Sequence, residues 1–436
     1  MHPIRALLAA LPAASLALAA PARAAPDLPS ADPFYAVPDG LEKVSPGTIL
    51  RHRTPPSRIG SPGRLLKLRS SHQILYRTTD SLRRATATVL TVLIPPNANM
   101  SRILSYQVAE DAASINCAPS YALQLGAAAN ASATVALLDL GNIESALRRG
   151  WVVIAPDFLG PRAAFLANEL AGNAVLDGVR AAINSRPFTG IAAEPKPEPD
   201  AGAEARAGPT VALWGYSGGS LASMWAAELQ PSYAPGLRIA GVAAGGAVPN
   251  ITTVVAAVNR GPFAGLIPSG VLGLATQYEL GPVLDQHLLP RHRKEFYRAR
   301  DLCLPGAILA FAGRDVVGMF DDRSLVYTHP LAVDVLARNA LGRRVPPAGT
   351  PLYVYKAVGD EISPVGDTDR LVDAYCAGGA TVQYERVQLS GHALLSFSGA
   401  PRALAWIDAV MNGRETGGFG RSCDAGRAGR AGRSLE

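Results

Sequence analysis

Ser217, Asp360 and His392 are the residues of this 436-residue chain whose types, order and settings could do chemistry together. Ser217 is the middle of Gly215-Tyr216-Ser217-Gly218-Gly219, which follows the apolar run Val211-Ala212-Leu213-Trp214 and precedes a helix-like run, Ser220 to Gln230. A serine on a sharp strand-to-helix turn projects its hydroxyl clear of the sheet, and glycines beside it answer the crowding that so tight a turn imposes. The helix behind it aims N–H groups and its positive dipole end at the place where negative charge develops during acyl transfer. The pentapeptide alone is weak evidence, because Gly and Ser are common in turns. The strand before it and the helix after it supply the specificity.

The partners come later in the chain. Leu352-Tyr353-Val354-Tyr355 alternates like a buried strand and runs into Val358-Gly359-Asp360-Glu361-Ile362-Ser363-Pro364, which puts Asp360 on the loop just past a strand's carboxyl end. Asp367, Asp369 and Asp373 compete with it, but the pattern from Thr368 to Tyr375 is helical, so those three read as a solvated helix start. His392, after a strand-like stretch from Thr381 to Leu389, is the one histidine that follows Asp360. His52, His72, His287, His292 and His329 precede it and read as surface or satisfied core residues. Ser, then Asp, then His is the chain order of the α/β-hydrolase fold, with His as general base and Asp holding its tautomer.

Those residues need a sheet to hold them. Ser71 to Thr79, Ala85 to Ile94, Ile103 to Gln107 and Trp151 to Asp157 read as successive strands, with a helix over Arg162 to Ser185 and another after Ser217. The Pro- and turn-rich segment from Asp32 to Arg69 should wrap the surface. The Pro/Glu/Ala interval from Glu194 to Gly208 reads as a surface insertion, because the elbow strand follows directly. The interval between Ser217 and Asp360 is longer than a minimal sheet requires. Thr252–Asn259, Val271–Gln277, His287–Ala299 and Leu331–Leu341 read there as helices of a cap, and Gly261 to Pro268 as an apolar wall for an acyl group. The expected organisation is a signal peptide at 1–24, an α/β-hydrolase core at 25–240 and 346–415, a mainly helical cap at 241–345 inserted between nucleophile and acid, and a tail at 416–436.

Composition fits one sizeable exported catalytic unit. The chain is 48% apolar and 17% charged, which argues against disorder. Arg5, the apolar run Ala6 to Ala20 and Ala22-Arg23-Ala24 have the layout of a secretory signal, and no later apolar stretch is long enough to span a bilayer. Cys117, Cys303, Cys376 and Cys423 suit an oxidising compartment, and four cysteines permit three pairings that local sequence does not choose between. Zinc-type spacings are missing, so neither metal nor cofactor is expected. Asn99, Asn130 and Asn250 head Asn-X-Ser/Thr sequons that would accept glycans in a eukaryotic secretory route. The net charge of +6 owes much to Arg421, Arg427, Arg430 and Arg433 in a low-complexity tail, and the chain shows no basic stripe interleaved with aromatics, so a nucleic-acid partner is not expected.

Several longer stretches resemble the fungal secretory lipases: Asp32-Pro33-Phe34-Tyr35, Tyr76-Arg77-Thr78-Thr79, Ser105-Tyr106-Gln107-Val108 with Glu110-Asp111, Cys117-Ala118-Pro119-Ser120-Tyr121, the elbow, Gly261-Pro262-Phe263-Ala264-Gly265, Cys303-Leu304-Pro305 and Asp360-Glu361-Ile362. The resemblance covers nearly the whole chain after the signal. It implies Ser217, Asp360 and His392 as a catalytic triad, Asp157 and Gly218 as oxyanion-hole contributors, a helical lid, and bridges Cys117–Cys303 and Cys376–Cys423. An aspartate ending a strand, as Asp157 does, also suits a helix N-cap. The chain departs from the family pattern at Leu159, where an acidic residue is usual, and in ending soon after Cys423 where the family continues into a flap, which leads to the expectation of a more open mouth. The function expected is a secreted serine lipase cleaving carboxylic esters, triacylglycerols among them, with a lipid or ester substrate and a possible lipid–water interface. The alternatives are a small-molecule esterase or deacetylase, an acyltransferase, an exopeptidase and, least in keeping with three filled triad positions, a non-catalytic binding module.

Overall fold

The computed structural model describes residues 25–192 and 208–423. The signal-like start, most of the Pro/Glu/Ala interval and the arginine tail from position 424 lie outside the described residues. Among the described residues ten strands form one sheet: β1 (Ile49–Arg53), β2 (Ser70–Thr79), β3 (Ala85–Ile94), β4 (Asn99–Gln107), β5 (Trp151–Pro156), β6 (Thr210–Tyr216), β7 (Ile239–Gly245), β8 (Leu352–Ala357), β9 (Val382–Val387) and β10 (Arg421–Cys423), in the spatial order β1-β2-β3-β5-β4-β6-β7-β8-β9-β10. Strands β5 to β9 and β4 run parallel, while β1, β2, β3 and β10 pair antiparallel at the two flanks. The central strands are buried along their whole length, as β5 and β8 show, because helices cover both faces of a parallel sheet.

Helix α1 (Asn168–Asn184) and α2 (Gly218–Tyr233) pack together on one face, where Ile74, Val92, Ile154, Leu213 and Val354 join Leu176 and Trp225 in one core. The other face carries Trp151, Trp214, Tyr355 and Trp406. Between β7 and β8 lie α3 (Ile251–Val258), α4 (Leu266–Gln277), α5 (Pro330–Arg338) and shorter helices, with an apolar core of their own that includes Val258, Leu272, Phe296 and Phe311. After β8, α6 (Val365–Ala377) precedes β9, and α7 (His392–Ser398) and α8 (Ala400–Met411) follow it.

Several expectations are corrected. The helix expected from Arg162 begins only at Asn168, because Gly160, Ala163 and Leu166 take positive φ in the loop before it. The helix expected over His287–Ala299 is broken into short turns around Pro290, which has no N–H to continue a helix. The Asp32–Arg69 segment contains an edge strand, β1, paired to β2. Arg421 is on β10, opposite Tyr384, with its guanidinium 2.6 Å from Asp373, and so is not part of a free tail. Asp367 is buried, accepting from Thr253 of α3 and paired with Arg370, where a solvated carboxylate was expected. Cys117 is bonded to Cys303, joining the core to the inserted helices, and Cys376 of α6 to Cys423 of β10.

Candidate active site

Ser217 stands between β6 and α2 with φ 53° and ψ −122°, a backbone conformation that side-chain-bearing residues rarely adopt. Its neighbours explain how that turn is tolerated. A Cβ on Gly215 would overlap the Gly219 carbonyl, and one on Gly219 would overlap the carbonyl of Gln107 at the end of β4. The peptide N–H of Ser217 donates to the Gly245 carbonyl at the end of β7 at 2.9 Å, so two neighbouring strand ends clamp the turn.

The histidine arrives on the first turn of α7. His392 Nε2 lies 2.9 Å from Ser217 Oγ, and its Nδ1 lies 2.7 Å from Asp360 Oδ2. Asp360 Oδ1 accepts from the N–H groups of Ile362 (3.0 Å) and Ser363 (2.8 Å), which closes the loop after β8 around the carboxylate. Burial raises the Asp360 pKa, but His392 and Lys356 outweigh it, so the carboxyl is held well below the usual carboxylate range. Glu361 accepts the His392 backbone N–H at 2.7 Å, and Tyr216 donates to the His392 carbonyl at 2.6 Å. The imidazole is therefore fixed from both its ring and its backbone.

Asp157 does not join this group. Its N–H donates to the Val89 carbonyl at 2.8 Å, its carbonyl accepts from Thr88, and its carboxylate accepts from the Ser120 N–H and hydroxyl. With its backbone donor used in the sheet and its side chain used by Ser120, the expected oxyanion-hole role is corrected. It caps no helix either, since α1 starts at Asn168.

Asp111 lies against the nucleophile turn instead. It lines the cavity beside Ser217, has φ 41°, and is so close to the nucleophile turn that a Cβ on Gly218 would overlap its Oδ1. Among the described residues that buried Oδ1 has no hydrogen-bond partner, and burial pushes the carboxyl up to about 7. Gly218, the first residue of α2, has an N–H with no partner within the helix. The only signal in the sequence for Asp111 was Glu110-Asp111 within the family-like stretch after β4.

The cavity beyond Ser217 and Gly218 is walled by apolar side chains of α2, α3, α4 and α5, among them Leu221, Ile251, Val255, Leu274 and Val335. Phe165 and Leu166 from the loop before α1 close another side. The surroundings of the hydroxyl thus divide into a hydrogen-bonded polar side and a mainly apolar side.

A model of the secretory lipase family matches residues 123–418. This chain belongs to the secretory lipase family. It is an ester hydrolase of the lipase type, and its fold is that of the α/β-hydrolases. It is 45% identical to Lipase A of Arthroderma benhamiae over 90% of this chain and 81% of that protein. It is 36% identical to Lipase 1 of Candida albicans, over 88% of this chain and 81% of the relative. The crystal structure of Candida antarctica lipase A superimposes with a TM-score of 0.78 at 29% identity, covering 90% of this chain and 88% of that one. A further relative, 34% identical over 88% of this chain and 77% of its own length, is described as a probable trichothecene esterase of Stachybotrys chartarum. Among the described residues, no helix is long and apolar enough to cross a membrane.

Proposed function

We propose that this secretory lipase cleaves esters of apolar acyl chains, triacylglycerols included, through an acyl-enzyme on Ser217. His392 takes the Ser217 proton as the hydroxyl attacks the acyl carbonyl and returns it to the leaving alcohol, while Asp360 holds the tautomer and stabilises the imidazolium. Water activated by the same histidine then releases the acid. The backbone N–H groups of Gly218 and Asp111 receive the oxyanion, with the N-terminus of α2 adding its dipole. The observation that carries this reading is the unbroken hydrogen-bonded line from Ser217 Oγ through His392 to Asp360, opening onto an apolar cavity. Roles in lipid degradation at a lipid–water interface, without a nucleic-acid partner or cofactor, belong to the same reading. So do export by a leader cleaved near Ala24 and glycans on Asn99 and Asn130. Asn250 is a poorer acceptor, because it is half-buried and its Oδ1 caps α3 through the Thr252 N–H.

A panel of p-nitrophenyl esters from acetate to palmitate, each below its critical micelle concentration, with a triglyceride emulsion alongside, tests the substrate class. Each methylene buried in the cavity should contribute up to ~0.8 kcal/mol, roughly a fourfold gain in kcat/KM. The expected result is a rise from acetate towards medium chains and hydrolysis of the emulsion. The Stachybotrys relative favours one second reading, a small-molecule esterase. Best cleavage of acetate with little of longer chains would establish that reading instead.

A further inference from the structure

Lys356 is the fifth of the six residues of β8, all of them buried, and its side chain has no exposure to solvent. A lysine is strongly disfavoured in such a place unless its charge is paired and hydrogen-bonded. Its Nζ lies 2.8 Å from Asp360 Oδ2 and donates to the Ala247 carbonyl at 2.7 Å. The Asp360 oxygen that meets Lys356 is the one that meets His392 Nδ1 at 2.7 Å. One carboxylate oxygen therefore serves two nitrogen groups. Ala247 follows Gly246, whose φ is 58° and whose missing side chain leaves room for the ring of His392. Lys356 thus ties the loop after β7 to the loop after β8 at the point where both meet the histidine.

We propose that Lys356 is a positioning residue for hydrolysis: its ammonium holds Asp360 in place and, by sharing Oδ2 with His392 Nδ1, competes with the positive charge that His392 takes up during the reaction. The proposal rests on the reading of Ser217, His392 and Asp360 as the triad. Two cations on one oxygen repel each other, so the lysine weakens the stabilisation that Asp360 alone would give an imidazolium. The other ionisable groups facing this cluster are Glu361, which takes the His392 N–H, Asp367, paired with Arg370, and the phenol of Tyr216. Burial draws the lysine pKa down, and Asp360, Asp367 and Glu361 oppose that shift.

Two variants separate charge from packing. Lys356→Met keeps length and apolar volume, and Lys356→Gln keeps a hydrogen-bond donor without the charge. In both, the acid limb of the kcat/KM–pH profile on a soluble ester should move up by about one pH unit. In Lys356→Met, kcat should also fall by about tenfold or more at neutral pH with KM changed less. If Lys356→Met does not fold, Lys356→Gln carries the test. Folded protein with thermal unfolding and phosphonate labelling of Ser217 like wild type, but an unmoved acid limb, overturns the proposal and leaves the triad standing. Substantial hydrolysis by Ser217→Ala would instead remove the triad reading, whatever Lys356 does.

Discussion

On the acid side of Ser217 the groups that carry charge are tied to one another. Asp360 is met by His392, Lys356 and two backbone N–H groups, and its carboxyl is held well below the usual range. On the cap side, Asp111 has one oxygen with no partner among the described residues and a carboxyl pushed up to about 7 by burial. Both are buried aspartates close to the nucleophile, and their environments drive them in opposite directions. The charged form of Asp360 is maintained where it meets His392, which the proposed mechanism turns into an imidazolium. Beside the apolar cavity, burial favours the neutral form of Asp111, where the proposed mechanism places the acyl chain and the oxyanion. That separation is the physical condition for using two carboxyl groups in different roles.

The comparison breaks most severely at Ser217 and His392, which serve both sides. Ser217→Ala should lower kcat by on the order of 10⁶-fold, and His392→Ala by a similar factor, because the two act as a unit. Initial rates on a soluble ester, together with thermal unfolding to confirm the fold, check this. More than a tenth of wild-type activity in purified Ser217→Ala would be incompatible with the assignment.

A change confined to the acid side should come next. Asp360→Asn replaces the acceptor at His392 Nδ1 by an amide that can present its NH₂ instead, which turns the histidine to the wrong tautomer. The loss in kcat is expected to be on the order of 10⁴-fold. The variant also leaves Lys356 without its anionic partner, so thermal stability should fall as well. An Asp360→Asn enzyme within tenfold of wild type would show that a different carboxylate supports His392.

Much of the acid side was legible from the chain because its signals are local. The elbow is bracketed by its strand and helix, Asp360 directly follows β8, and one histidine comes after it. Asp111 was not legible as a site residue: its position depends on a positive φ in a non-glycine residue, and no residue type near it announces that turn. Asp157 looked better placed because it ends a strand, but its donor is consumed by Val89, across the sheet from it. Lys356 was hidden for a related reason. A lysine in an apolar strand shows that a partner is needed, and only the folded loop shows that the partner is Asp360. In the cap, the helix expected over His287–Ala299 runs through Pro290, which breaks it because proline has no N–H to continue a helix, and the burial of Asp367 depends on Thr253, 114 residues away in the chain.

The smallest effect expected concerns stability, and it sets the two carboxyl environments against each other. Asp111, Asp139 and Asp157 are each pushed up to about 7, chiefly by burial, and Glu110 is raised too. Their unfolded values lie near 4, so between about pH 4 and 7 the native state keeps protons that the unfolded chain releases. Stability should therefore decline as pH rises through that window, by up to about 1.4 kcal/mol per pH unit for each carboxyl that titrates independently. Asp360 has the opposite sign: its folded pKa is depressed, so its contribution is present above the unfolded value and is lost as pH falls below it. Together these place the highest thermal stability at about pH 4, with a decline towards neutrality from the raised carboxyls and a fall on further acidification from Asp360. Asp139 offers the cleanest probe, since it accepts from Tyr106 at 2.8 Å and is not among the residues lining the cavity beside Ser217. Asp139→Asn should flatten the decline between pH 5 and 7 in thermal or urea unfolding, while leaving the acid-side loss in place. An unchanged slope would mean that Asp139 is already ionised in the folded protein at pH 5.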